Sequence, residues 1–351
     1  MTGHDSANTS FNSGERTLSA TSIRHLHLAW VFHRQVTGLI VGGGRVYAVT
    51  QTGIAMLDPR SGKQIRLFTS KNLGVSPGLM ASGLAYSRGV LVLVSSQAIV
   101  AFKPSSGQVL WRRSVSFTTN ITISGNVVYI GSYCFNGCPT YALDLRTGKQ
   151  LWENPSGGLI QSVVAGRVFE GLLWQGHCQD RIIDQRTGSL IATLSSCGSW
   201  TGTSSRIYGL VFPPDVKQPA SVEPVNGNGQ RQRWQVRIGR PDSTAVVFAY
   251  GTLFAATAIP YVGLIALKAS TGKILWRRKV SGTFHLLAAN HLLFVLHRNG
   301  AWVDALQSAT GRLLRRFRVS GAGQGSMLFG GLVAGGQLYT SAGSDTVVMR
   351  P

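Results

Sequence analysis

The run Ala142-Leu143-Asp144-Leu145-Arg146-Thr147-Gly148-Lys149-Gln150-Leu151-Trp152 decides the fold, because its frame of Ala, then Thr or Ser followed by Gly, then Trp recurs at fixed offsets. It returns as Ala101-Phe102-Lys103-Pro104-Ser105-Ser106-Gly107-Gln108-Val109-Leu110-Trp111 and as Ala266-Leu267-Lys268-Ala269-Ser270-Thr271-Gly272-Lys273-Ile274-Leu275-Trp276. A long self-similar period outranks any single-residue signal of architecture. Each copy is a strand, a four-residue turn and a second strand carrying an aromatic ring. The Asp or Ser oxygen caps turn amides, the Gly supplies a positive φ, and the Trp offers a flat surface with one N–H donor.

Outward from that stretch, the turn glycine falls at Gly62, Gly107, Gly148, Gly188, a degenerate site near Gly229, Gly272 and Gly311, spaced by about 40 to 45 residues as in four-stranded propeller blades. The Trp position is held by Trp30, Arg66, Trp111, Trp152, Ala192, Trp234, Trp276 and Arg315, which makes eight outer strands. A second register of turns feeding apolar strands interleaves with the first, at Gly44-Arg45-Val46, Gly89-Val90, Gly125-Asn126-Val127, Gly166-Arg167-Val168, Arg206-Ile207, Gly251-Thr252, His291-Leu292 and Gly336-Gln337. His25 to Phe32 has only the second half of the unit, and Asp345 to Pro351 has only the strand before the turn. The chain is therefore expected to be all-β: an eight-bladed β-propeller of four-stranded antiparallel blades, its ring closed by the N-terminal strand pairing with the C-terminal strands. Residues 1–22 hold few large apolar side chains and read as an irregular N-terminal arm, and 23–351 as a single propeller domain.

Composition agrees. Charged residues make up 13% of the chain and Gly numbers 43, which suits short strands and tight turns. Lys and Arg total 34 against 13 Asp and Glu, a formal charge of +21 and a pI near 10.8. Such a surface attracts polyanions in a salt-dependent way. No apolar run reaches the ~18 residues of a spanning helix, and Met1 to Ala20 has no apolar core of the kind a secretion signal carries.

Ala142, Asp144, Thr147, Gly148 and Trp152 match the tryptophan-docking repeat of the pyrroloquinoline-quinone-enzyme-like β-propellers, and Gly14-Glu15-Arg16-Thr17-Leu18-Ser19 leading to Trp30 resembles the opening of those proteins. The resemblance covers about residues 14 to 351 and implies one of two activities. Quinoprotein dehydrogenases hold the quinone with Ca²⁺ on the propeller axis, through acids, amides and often a pair of adjacent cysteines. No Cys-Cys pair is present, Asp58, Asp144 and Asp184 belong to turns, and Glu170 and Asp304 remain as strand acids. The compact length resembles more closely the non-catalytic branch, similar to the propeller lipoprotein of the outer-membrane assembly machine. The expected function is thus a non-enzymatic binding scaffold, monomeric and without a cofactor, for a protein, an anionic envelope polymer or a membrane surface. The alternative is a quinone-dependent dehydrogenase using pyrroloquinoline quinone and Ca²⁺. Nucleic acid is disfavoured as a partner, because charge alone points to it.

Among candidate site residues, Trp30, Trp111, Trp152, Trp234 and Trp276 are assigned to docking between blades. Cys178 and Cys197 flank the turn at Thr187-Gly188, which would set them opposite one another on paired strands, and Cys134 and Cys138 bracket Phe135-Asn136-Gly137. Of the three possible connectivities, Cys134–Cys138 with Cys178–Cys197 leads, which implies an oxidising, extracytoplasmic compartment; free thiols, or a zinc site using His177 and Cys178, are the alternatives. Basic residues follow the Trp position at Arg112, Arg113, Arg277, Arg278, Lys279, Arg315, Arg316 and Arg318, so that a basic arc along the outer rim is the candidate anion-docking surface. Charge there also discourages edge-to-edge strand pairing. Gly42-Gly43-Gly44 is a β-turn, since no helix pattern follows it, and His285, His291 and His297 lack acid or Cys partners at ligand spacing.

Overall fold

The computed structural model describes residues 10–75, 81–95, 97–115, 118–132, 139–155, 157–174, 177–213, 218–239, 246–257, 263–280, 284–297, 300–319, 328–342 and 345–351. Eight sheets form an eight-bladed β-propeller, each blade containing a four-stranded antiparallel meander. Arg34–Thr193 is one compact unit, and Thr2–His33 with Leu194–Pro351 is the other.

In the first unit, blade 1 spans 36–69, blade 2 81–114, blade 3 118–154 and blade 4 159–194. Blade 3 shows how the repeat builds a blade. Asp144 Oδ1 accepts the backbone N–H of Arg146 at 3.1 Å, that of Thr147 at 2.8 Å and the Thr147 hydroxyl at 2.8 Å. Gly148 has φ +69°, a conformation that only glycine adopts freely. The pairing of Thr140–Asp144 with Gln150–Asn154 then slips at Ala142/Leu143, a bulge that adds twist to the strand carrying Trp152. The core lies between neighbouring blades: Tyr129 and Ala142 of blade 3 pack with Val168 and Ile183 of blade 4, and Ile130 and Leu143 pack with Val92 and Ala101 of blade 2.

In the second unit, blade 5 spans 197–239, blade 6 246–279 and blade 7 284–318. Blade 8 joins Leu328–Ala334, Gln337–Ala342 and Asp345–Arg350 to the N-terminal strand His27–Phe32. Trp30 sits opposite Val348 and Phe32 opposite Thr346, so the half-repeats at the two ends of the sequence complete one blade.

The N-terminal arm is not irregular throughout. Phe11–Asn12 pairs in parallel with the first strand of blade 7, Phe11 opposite Ala288, and Ser22–His25 is a 3-10 helix. Glu15 is buried; its Oε1 accepts the Thr17 N–H at 2.6 Å and the Leu18 N–H at 3.1 Å, and its Oε2 the Gly336 N–H at 2.9 Å. Asn12 Nδ2 donates to the Val333 carbonyl at 2.7 Å, and Leu18 and Ile23 enter the core of blades 7 and 8. A few specific bonds satisfy this segment, so it carries no apolar periodicity for sequence reading to detect.

Candidate functional site

Trp111, Trp152, Trp234 and Trp276 sit at seams between blades. Trp111 Nε1 donates to the Leu145 carbonyl at 2.9 Å, Trp152 Nε1 to Gln185 at 3.0 Å and Trp276 Nε1 to Ser308 at 2.9 Å. Each acceptor follows the first turn residue, Asp144, Asp184 or Gln307. A Cβ on Gly148 would stand 2.6 Å from the Trp111 ring, and one on Gly188, Gly272 or Gly311 would meet Trp152, Trp234 or Trp276 within 2.7 Å. Glycine is required both for φ and for contact with the indole. Trp30 packs edge-on to Tyr339 of its own blade 8, with ring centroids 6.2 Å apart.

Where Arg replaces Trp, the guanidinium performs a similar bond. Arg66 donates to the Ser105 carbonyl at 3.2 Å. Arg315 donates to the Ile23 carbonyl at 3.0 Å and the Arg24 carbonyl at 2.6 Å, and lies over the Phe317 ring. Arg315 thus ties blade 7 to the 3-10 helix Ser22–His25.

Much of the expected rim arc is engaged in this way. Arg112 donates to the Leu73 carbonyl at the end of the short helix Ser70–Leu73. Arg113 bonds Gln150 and covers the Tyr141 ring, and Arg278 donates to the Gly311 carbonyl at 3.2 Å. Arg316 grips Asp304 with both arms, at 2.6 Å and 2.7 Å. Arg277, Lys279 and Arg318 are exposed. Carbonyls and carboxylates from neighbouring strands absorb these cations, and no sequence spacing reveals them.

The strand acids occupy two different settings. Asp304 is 1% exposed, and besides Arg316 it has His297 Nε2 at 3.2 Å. Burial raises its pKa, but Arg316 and His297 more than offset this and hold it at about 2. Glu170 is fully buried in blade 4, in register with Ile160 and Arg181, and neither carboxylate oxygen has a hydrogen bond of good geometry. Burial pushes it up to about 7; Thr140 and the charge of Arg181 oppose this only in part. Asp180, also buried, accepts from Gln161 Nε2 at 2.9 Å. Its register neighbour is Gly171, so alternation along the strands turns it to the face opposite Glu170.

A calcium-held quinone needs several oxygens converging on the cation. Among the described residues no three His, Cys, Asp or Glu side chains form such a group, Asp304 is occupied by two cations, and Glu170 and Asp180 face apart. The described residues therefore do not fit that cofactor. His291 stacks on Tyr250 at 4.3 Å, while His297 serves Asp304.

Cys197 is disulfide-bonded. It opens the first strand of blade 5, Cys197–Gly202, whereas Cys178 lies in His177–Asp184 of blade 4, so the two do not stand on paired strands as the spacing suggested. The intervening strand Leu190–Leu194 ends before Cys197 is reached. Cys134 and Cys138, and the side chains of His177 and Cys178, lie outside the described residues.

Sequence reading overlooked the turns themselves as a source of charge. Arg60, Lys63, Lys103, Arg146, Lys149 and Arg186 stand at the outer turns of blades 1 to 4, all exposed. The signal was in the repeat, whose turn positions carry Lys or Arg in copy after copy.

No curated protein matches the sequence at a significant level. Among solved structures, BamB from Moraxella catarrhalis is similar at 13% identity and a TM-score of 0.66, covering 93% of this chain and 100% of that one. The quinohemoprotein alcohol dehydrogenase ADHIIG from Pseudomonas putida HK5 is similar at 12% identity and a TM-score of 0.66, covering 98% of this chain and 78% of that one. A europium-containing methanol dehydrogenase follows at 14% identity and a TM-score of 0.62, covering 97% and 88%. At such identities the likeness concerns fold alone. The family described as outer membrane protein assembly factor BamB matches residues 54–195 and 220–350, most of the chain, and with the repeat geometry above this protein belongs to that family of pyrroloquinoline-quinone-like β-propellers.

Proposed function

We propose that this protein is a non-enzymatic scaffold outside the cytoplasm, binding a protein or an anionic envelope partner, in the sense in which its family is described as an assembly factor for outer membrane proteins. The observation that carries the proposal is the engagement of the strand acids. Asp304 is locked to Arg316 and His297, and Glu170 is held near neutrality inside its blade. Asp304 stabilises its blade through those two partners, and Glu170 is fully buried within its own. Family membership supports a protein partner, and the disulfide at Cys197 supports an oxidising compartment. No helix among the described residues is long and apolar enough to cross a membrane. The scaffold works as a monomer and without a cofactor.

Crosslinking in intact cells followed by purification of the tagged full chain tests this. A partner protein from the envelope, recovered in fixed stoichiometry and lost in competition with untagged chain, is the expected result. Recovery of the chain alone from every fraction would overturn it.

A further inference from the structure

In an antiparallel four-stranded meander the first and third turns lie at the same end of the sheet, and the second lies at the other. In blades 1 to 4 that shared end carries the outer turns described above, together with inner turns at Gly44-Arg45, Arg88-Gly89, Gly125-Asn126 and Gly166-Arg167. Bonds tie inner to outer turns within a blade and link neighbouring blades there. Arg88 donates to Asn126 Oδ1 at 2.7 Å, the Leu145 N–H to the Asn126 carbonyl at 2.8 Å, the Gln185 N–H to the Gly166 carbonyl at 3.1 Å, and Gln185 Nε2 to the Tyr129 hydroxyl at 3.0 Å. The turn end is therefore a fixed array of tips.

Its charge is predominantly positive. Arg60, Lys63, Lys103, Arg146, Lys149 and Arg186 are exposed, and their side chains make no hydrogen bond or ion pair among the described residues. The acids at this end are Asp58, Asp144 and Asp184, each accepting two backbone N–H groups of its own turn through Oδ1, and Asp184 Oδ2 also stands 3.6 Å from Arg167. The large apolar side chains exposed in this unit are Ile65, Leu151 and Leu190, at the first or second residue of the outer strands beside these turns.

We propose that the turn end of blades 1 to 4 docks on a bilayer surface rich in anionic phospholipid. Cations stand on the outer turns of four successive blades, and Arg45, Arg88 and Arg167 add a second, inner row in three of them; such a spread matches a two-dimensional array of phosphates, whereas a linear polyanion follows one row at a time. Attachment through these cations is electrostatic and reversible by salt. The inference rests on the proposed envelope location but not on the identity of a protein partner. Vesicle binding is read on the purified chain, so its failure is distinguishable from failure of the crosslinking experiment.

The test is cosedimentation of the full chain with phosphatidylcholine vesicles with and without phosphatidylglycerol, alongside a heparin column. One variant carries Arg60→Gln, Lys103→Gln, Arg146→Gln and Arg186→Gln, and a rim variant carries Arg277→Gln, Lys279→Gln and Arg318→Gln together with Arg237→Gln, an exposed residue of the outer strand Val236–Gly239 of blade 5; near-ultraviolet circular dichroism checks that both fold. The expected result is binding that requires phosphatidylglycerol, fades with salt, falls at least about tenfold in the turn variant and changes far less in the rim variant. Equal losses in both variants, no preference for anionic vesicles, or turn-dependent binding to heparin without vesicle binding would each overturn the proposal.

Discussion

Asp304 and Glu170 are both interior acids, yet they are poised on opposite sides of the usual carboxylate range because one has cationic hydrogen-bond donors and the other does not. Folding depresses the pKa of Asp304, so its stabilising contribution is present above the unfolded value and is lost as pH falls toward about 2. Arg316→Met leaves that carboxylate buried with His297 alone and is expected to cost about 3 kcal/mol in urea unfolding at neutral pH; unchanged stability would contradict the pairing. Glu170 has the reverse sign. Its folded pKa of about 7 lies above the ordinary value of 4.5, so the folded chain holds a proton that the unfolded chain releases. Its contribution to stability is greatest below the unfolded value and declines as pH rises through that window, by about 3 kcal/mol in all. Glu170→Gln is expected to remove this slope and to be the more stable form at pH above 7. An unaltered slope in the variant would assign the pH dependence to other groups.

Blades are joined by a ring resting on a glycine, and this is where the sequence was most informative. Fixed offsets between Thr-Gly and Trp disclosed the turn, the strand after it and the need for a positive φ at Gly148 and Gly188. Spacing cannot show a substitute for the ring, however. Arg315 meets Ile23 across 292 residues of sequence, and only the fold brings those carbonyls to it. Arg112 and Arg278 were likewise legible as cations and illegible as donors to Leu73 and Gly311. The docking geometry makes quantitative claims. Trp152→Phe removes the bond to Gln185 and is expected to cost about 1 kcal/mol, whereas Trp152→Ala opens a cavity costing about 3 to 5 kcal/mol. Gly188→Ala brings a methyl against the same ring at φ +75°, so combining it with Trp152→Ala should cost less than the sum of the two. Strict additivity in urea unfolding would deny the contact.

Across the whole chain, the charge of +21 understates how basic the exterior is. Of 13 acids, Glu15, Glu170, Asp180, Glu223 and Asp304 are buried, while most cations are exposed. The propeller was legible because a repeat states its architecture many times over. The candidate site was not, since burial of an acid and capture of an arginine by a carbonyl depend on which strands fold together. What remains after the blades have taken their share is a set of charged turns and a fold common to assembly factors and quinone enzymes alike. Binding rather than catalysis is the central claim, and it is tested most directly by titrating the purified chain with pyrroloquinoline quinone and Ca²⁺, then offering alcohols and sugars with a dye acceptor. The account predicts no saturable quinone uptake and no dye reduction above the protein-free rate. Quinone uptake accompanied by Ca²⁺-dependent turnover would contradict it.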